Sequence, residues 1–268
     1  DDNFEQALID LGYDNVLDDA VITANIYSII SLDLEYKQIS DLSGIEDFIM
    51  IEELNISENF ISTIDLSNNL YLRELACHYN NLTSLDVSNN LLLTDLFCGS
   101  NQITSLDVSN NIALTTLDCS ELFNATSLDV SNNIALIHLS CWWSGFQNLD
   151  VSNNTSLISL SLGGMSQLTN LDLRNGNNTN LSIFCENTSN LFCINVDDST
   201  WSSNNWTVSN SNVDPQHYFS NNCSGTTEIN EHTTNKELFK VTDILGREVN
   251  KKRNTPLFYI YNDGTVEK

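Results

Sequence analysis

The sequence predicts a repeat solenoid built mostly of short, stacked parallel strands, with a cap at each end and a small antiparallel β unit after it. Three observations carry this. A six-residue string recurs at a nearly fixed step, a second leucine-spaced string recurs between its copies, and composition and charge change abruptly near residue 235.

The string LDVSNN begins at Leu85, Leu106, Leu128 and Leu149, with the relatives IDLSNN at Ile64 and LDLRNG at Leu171, so the steps are 21 or 22 residues. Between them runs a half-repeat of the form L-x-x-L-x-C-x-x-N. It reads LRELACHYN from Leu72, LTDLFCGSN from Leu93, LTTLDCSEL from Leu114, LIHLSCWWS from Leu136 and LISLSLGGM from Leu157. Earlier copies start at Ile29 and Ile51, which makes about seven coils. A fixed period of this length marks a solenoid. Alternate side chains of each short strand point inward, and one coil cannot bury its inward face alone. Stacking coils about 4.8 Å apart buries the leucines together and pairs the strands. Asn59, Asn80 and Asn101 on one side, and Asn69, Asn90, Asn111, Asn133 and Asn154 on the other, are then expected as inward ladders bonding the backbone where coils turn.

This pattern closely resembles that of leucine-rich-repeat proteins secreted by bacteria, over roughly residues 28–190. The resemblance implies a curved solenoid whose concave sheet carries recognition.

The ends are read from local signals. Residues 1–27 form an N-terminal cap, with a helix over Asp2–Leu11 that places Phe4, Ala7, Leu8 and Leu11 on one face, Asp1 or Asp2 as N-cap and Gly12 as terminator. Residues 191–225, rich in aromatics from Leu191 to Phe219, read as the C-terminal cap. Between Leu117 and Leu128 the step is one residue longer than elsewhere, and Leu122 then Ser144 replace the ladder Asn, so a bulge is expected near Leu122–Asn124.

The charge bounds the partners. Residues 1–235 hold three bases (Lys37, Arg73 and Arg174) against 31 acids, within a chain of formal charge -26. Such a body repels phosphate backbones and anionic headgroups, which argues against nucleic acid and membrane surfaces. No stretch approaches the ~20 apolar residues of a membrane helix. The chain opens at Asp1-Asp2 with no basic-then-apolar leader, so any signal peptide that existed is expected to have been removed already.

Four cysteines, Cys77, Cys98, Cys119 and Cys141, share one inward repeat position. A column of this kind does not surround a tetrahedral ion, and core packing is the expectation. Cys193 and Cys223 bracket the cap and are expected to form a disulfide. Cys185 is left over. No catalytic constellation is legible: the histidines His78, His138, His217 and His232 lie in no H-E-x-x-H, no G-x-S-x-G occurs, and glycine is too sparse for a phosphate loop. The sequence therefore predicts no enzyme and no cofactor. One alternative is calcium on the aspartate row, Asp86, Asp107, Asp129 and Asp150 with Asp65 and Asp172 at its ends, where stacked carboxylates would repel. The competing reading is that each Asp bonds its own turn.

Candidate ligand contacts are the outward strand positions. Phe97, His138, Trp142 and Trp143, with His78 and Tyr79 nearby, form an aromatic group against acidic and small polar neighbours, and exposed rings favour recognition of a protein, peptide or glycan. Alternatively, Trp143 packs over the Leu122 bulge and Trp142 alone is free.

Residues 226–235 read as a polar linker. Residues 236–268, with seven bases and five acids, carry LFKV, LFYIYN and the turn signal Asn262-Asp263-Gly264 before Thr265-Val266. This segment resembles the C-terminal sorting domain of type IX secretion, the Bacteroidetes export route, with Asp243, Gly246 and Arg247 in the family's D-x-x-G-R core. The family's signal usually runs a few residues further. The resemblance implies a secretion translocon and a shuttle protein as partners, and a secreted or outer-surface location. The sequence thus supports a recognition module first, and a structural spacer or adhesin component whose one specific interaction is the tail second.

Overall fold

The computed structural model describes residues 1–223 and, beyond them, the strand residues 238–242, 258–261 and 266–267. They fall into two compact units, Asp1–Cys223 and Ser224–Lys268. The first opens with helices α1 (Asp2–Asp10) and α2 (Thr23–Ile26). It continues through strands β1 (Ser31–Asp33), β2 (Glu53–Asn55), β3 (Glu74–Ala76), β4 (Asp95–Phe97), β5 (Thr116–Asp118) and β6 (His138–Ser140). Then come β7 (Asn148–Asp150), β8 (Ser159–Ser161), β9 (Asn170–Asp172), β10 (Ser182–Phe184), β11 (Cys193–Asn195), helix α3 (Ser199–Asn205) and β12 (Tyr218–Ser220).

These strands form a parallel solenoid. One sheet runs β1-β2-β3-β4-β5-β6-β8-β10, and a second, from the other half-repeat, runs β7-β9-β11-β12. The central residue of each main strand is buried, and the register is unbroken from Leu32 and Leu54 through Leu75, Leu96, Leu117, Leu139 and Leu160 to Ile183. Each such side chain contributes about 1.5–3 kcal/mol by leaving water, and stacking repeats that gain along the whole length. The main sheet has eight strands where about seven coils were counted. β10 departs from the repeat pattern, since its step from β8 is 23 residues and its leading leucine, Leu181, falls one position late. Parallel pairing also runs past residue 190, through β11 to β12.

Both asparagine ladders face inward. Asn80 donates through Nδ2 to the carbonyls of Ile56 and Cys77 (2.9 and 3.2 Å), and its Oδ1 accepts from Ile61 N. In the second ladder Asn111 donates to Val87 O and Asn90 O at 3.0 and 2.9 Å, Asn133 repeats this one coil on, and Asn175 extends it to Asn154 O. The two ladders differ in one respect. The Oδ1 atoms of Asn69, Asn90, Asn111, Asn133 and Asn154 are buried with no hydrogen-bond partner, so those rungs act through their donors alone. Where Leu122 interrupts the first ladder, Ser144 substitutes with its shorter side chain, donating to Cys119 O at 2.8 Å. The extra residue is taken up in a turn outside the sheet, where Ala125 N and Gly145 N both donate to Leu122 O (3.1 Å each) and Phe123 is exposed. The register of β5 on β6 is untouched.

A column of left-handed residues ends each strand. Glu58, Tyr79, Ser100, Glu121 and Trp143 have φ between 53° and 58°. Each carries the parallel ladder one bond beyond the strand, as in Tyr79 N to Gly99 O and Trp143 N to Gly163 O, before the chain turns off the sheet. Only the backbone is repeated there, so the side chains vary and project at the sheet edge.

Both ends are covered. Asp1 caps α1 through its carboxylate, which accepts from Asn3 N and Phe4 N, Gly12 follows with φ +82°, and Phe4 meets Phe48 with ring centroids 6.4 Å apart. At the other end Trp206 is buried between Trp201 and Phe219, with centroids 5.6 and 5.7 Å away, and its Nε1 donates to Leu181 O. The second unit is an antiparallel sheet of β13 (Leu238–Thr242), β14 (Phe258–Tyr261) and β15 (Val266–Glu267). Among the described residues no helix is long and apolar enough to cross a membrane.

Candidate binding face

The outward face of the eight-stranded sheet is the surface the repeats build most regularly, and its chemistry changes along the stack. Glu53, Glu74 and Asp95 occupy one register position on β2, β3 and β4, as direct neighbours. Partial burial, with the Asp95 and Glu53 carboxylates beside it, pushes Glu74 above its ordinary value. Further along, the same row continues as Thr116, His138, Ser159 and Ser182.

Aromatic rings gather on the last coils. Trp142, just past β6, stacks on Phe184 of β10 with centroids 5.3 Å apart and planes 25° from parallel. Between them, just past the end of β8, lies Gly163, and a Cβ there would lie 2.5 Å from Phe184 Cε1 and 3.5 Å from Trp142 Cε2. The pair exists because Gly163 leaves room for it. Trp143 lies over the next glycine, since a Cβ on Gly164 would fall 2.7 Å from its indole. It covers Gly164 and remains 53% exposed. Phe184 was missed in the sequence, although Ile183 and Cys185 keep the L-x-C spacing around it.

The remaining candidates are dispersed. His138 is exposed on β6 and Phe97 half-buried on β4, with no ring partner for either among the described residues. His78 bonds Ser57 Oγ at 3.1 Å and meets Tyr79 edge-on, centroids 5.5 Å apart, toward the acidic end.

Each aspartate of the second half-repeat bonds its own turn. Asp65, Asp86, Asp107, Asp129 and Asp150 accept from the N–H of the serine two residues on, at 2.8–2.9 Å, and Asp172 accepts from Arg174 N. The hydroxyl and N–H of that serine hold Asp65, Asp86, Asp107 and Asp129 below the usual carboxylate range. The last three of the row, with Asn148, Asn170 and Leu149, line a hollow of about 420 Å³ on the second sheet. Among the described residues, three metal-ligating atoms converge instead at Glu5, Asp14 and Asp18. Glu5 there already accepts from Asp18 N and Asp19 N.

Cys77, Cys98, Cys119 and Cys141 are all buried in one column, with Cys119 and Cys141 sulfurs 3.6 Å apart. Cys185 belongs to the same column, one coil beyond Leu162, and not outside it. Burial pushes the Cys77 and Cys185 thiols up to about 12, so neither supplies a nucleophile. Cys193 and Cys223 are joined by a disulfide with Cα atoms 5.8 Å apart. Asp243, Gly246 and Arg247 lie outside the described residues.

The cap holds a buried histidine. His217, whose side chain is fully shielded, pairs Nε2 with Thr188 Oγ1 at 2.9 Å and accepts Asp214 N at Nδ1. Burial lowers its pKa below 6.5, outweighing the opposing Asp214 carboxylate. Folding therefore favours the neutral ring. Its contribution is present above the unfolded value of 6.5 and is lost as pH falls through the lower folded value. Urea unfolding between pH 7.5 and 5 is expected to show stability falling with acidity, with a shallower fall in His217→Gln. Equal slopes would refute this role.

No protein-family model and no curated protein matches the chain. Among solved structures it is similar to the functional domain of InlJ from Listeria monocytogenes, which includes a cysteine ladder: 23% identity, TM-score 0.47, covering 73% of this chain and 64% of that one. It is also similar to the leucine-rich-repeat protein LIC12759 of Leptospira interrogans, at 22% identity and TM-score 0.45 over 56% and 44% of the two chains. A third is the internalin InlC2 of L. monocytogenes, at 18% and 0.47 over 72% and 91%. The chain thus spans less than two thirds of the first two. The likeness is one of repeat architecture and says nothing of a ligand.

Proposed function

We propose that this protein is a non-catalytic recognition module, secreted or held at the outer cell surface, that binds a protein, peptide or glycan through the outward face of its eight-stranded sheet. The observation that carries the reading is the Trp142–Phe184 pair, two large rings left partly in water over a glycine that makes space for them. Rigid rings bury much area at small entropic cost, and interface energy concentrates on such residues. A solenoid acting only as a spacer has no use for them. Peptide and glycan arrays probed with the full chain are expected to give ligands whose signal falls about tenfold or more in Trp142→Ala/Phe184→Ala. Ligands that bind the double variant equally well would refute the face.

The tail supports export as a separate task. Its antiparallel sheet forms its own compact unit, and its charge balance differs from that of the rest. We read residues 236–268 as a type IX sorting domain, with Asp243, Gly246 and Arg247 as its core and the translocon and shuttle protein as partners. Deleting residues 226–268 is expected to abolish surface delivery while leaving the solenoid's circular dichroism unchanged. Surface delivery of the truncated chain, or loss of its dichroism, would refute the division.

A further inference from the structure

We propose that the outward sheet face docks an extended cationic stretch of polypeptide, with basic side chains on the Glu53–Glu74–Asp95 row and a bulky apolar side chain on the Trp142–Phe184 pair. This rests on the recognition reading above and names the ligand's chemistry.

Charge is the first ground. Like charges directly opposite on paired strands are destabilising, yet three carboxylates stand in register on β2, β3 and β4. Among the described residues no cation pairs with them. Among the described residues Arg73, beside this row, turns to Glu52 at 3.2 Å, and Arg174 pairs with Asp172 on the other half-repeat. Among the described residues the one side-chain bond to the row is that of the Thr94 hydroxyl on Asp95, which leaves its charge open to a cationic ligand.

Geometry is the second ground. The row is a line with steps of about 4.8 Å, the strand spacing, and not a cage closing on a point ion. A line of carboxylates suits a chain bearing repeated charges. Asp95 is in register with His138 two strands away, about 10 Å, and Trp142 lies four residues, about 13 Å, further along the chain, so the row's end and the rings are about 16 Å apart, which an extended peptide spans in about five residues at about 3.3 Å each. The same face carries no carboxylate at the strand positions of β6, β8 and β10, where rings and serines stand instead. One end of the surface therefore fits cations and the other an apolar anchor. A neutral glycan would use the rings and leave the carboxylates uncompensated, and a polyamine would do the reverse.

Fluorescence polarisation of the full chain against a labelled twelve-residue peptide tests this. The peptide carries Lys-Ala-Lys-Ala-Lys with a Trp five residues beyond, and the controls replace all Lys by Gln or place the Trp next to the lysines. Glu53→Gln/Glu74→Gln/Asp95→Asn is expected to weaken binding of the first peptide about tenfold or more. The same loss of three charges away from the face, in Asp2→Asn/Asp10→Asn/Asp47→Asn, is expected to change it less than twofold. Trp142→Ala/Phe184→Ala is expected to weaken it separately while keeping its salt dependence. Equal binding of the Gln peptide, or equal loss in both triple variants, overturns the proposal. If the Gln peptide or a neutral glycan binds and loses affinity in Trp142→Ala/Phe184→Ala, recognition by the face stands and its cationic preference falls. If no ligand responds to the ring variant, both fall.

Discussion

Asn111→Ala is expected to destabilise the stack by about 2 kcal/mol, read from the urea midpoint at constant m-value. Two buried carbonyls, Val87 O and Asn90 O, each lose one of two donors and keep the backbone bonds from Asn90 N and Leu93 N, and each lost bond costs about 0.5–1.5 kcal/mol. The site cannot recover this by rearrangement, because Leu114, Val108 and the neighbouring rungs Asn90 and Asn133 pack around it without exposure. The adjacent residue is a sharp control. Asn110 also donates to a carbonyl of the previous coil, Ser88 O, but it is exposed and water replaces the bond. Asn110→Ala is expected to cost under about 0.5 kcal/mol. Asn111 acts through its two Nδ2 bonds alone, so Asn111→Leu, which fills the space without donating, is expected to lose the same two bonds as Ala. Comparable small losses at both positions would mean the inward ladder does not hold the coils.

Trp206→Ala is expected to cost about 3–5 kcal/mol and to loosen one end selectively. Its indole is 4% exposed, fills the space between Trp201 and Phe219, and donates to Leu181 O. Terminal repeats lack a neighbour on one side, so a lost cap exposes leucines and strand edges there first. Hydrogen exchange is expected to accelerate at β10, β11 and β12 while β2 to β5 keep their protection. Uniform acceleration would show that the stack unfolds as one unit and that the cap is not a local closure.

The legibility of this fold follows from repetition. Leu75, Leu96 and Leu117 do the same physical work one coil apart, so their period shows the stack, its register and both asparagine ladders directly. The aspartate turns were equally legible as one of two readings, since a carboxylate bonding an N–H two residues on is a local rule. What escaped notice lies where the repeat bends. β10 was hidden by a long step and a displaced leucine, and with it went Phe184 and the place of Cys185 in the cysteine column. The aromatic pair needs three coils at once: Trp142 on one, Gly163 on the next and Phe184 on the third. No window along the sequence contains that arrangement. The His217 site likewise joins segments 26 to 29 residues apart that repeat nothing.

A blocking experiment tests the central claim most directly, because it asks which surface works without assuming the ligand. The five free thiols do not compete for label, since all are buried out of reach of the reagent. A polyethylene-glycol maleimide placed on Ser182→Cys, exposed on β10 beside Phe184, should abolish binding of array-identified ligands. The same adduct on Ser131→Cys, exposed on the other half-repeat, should leave their affinity within twofold. Loss of binding from the second adduct and not the first would contradict the assignment of recognition to the eight-stranded sheet.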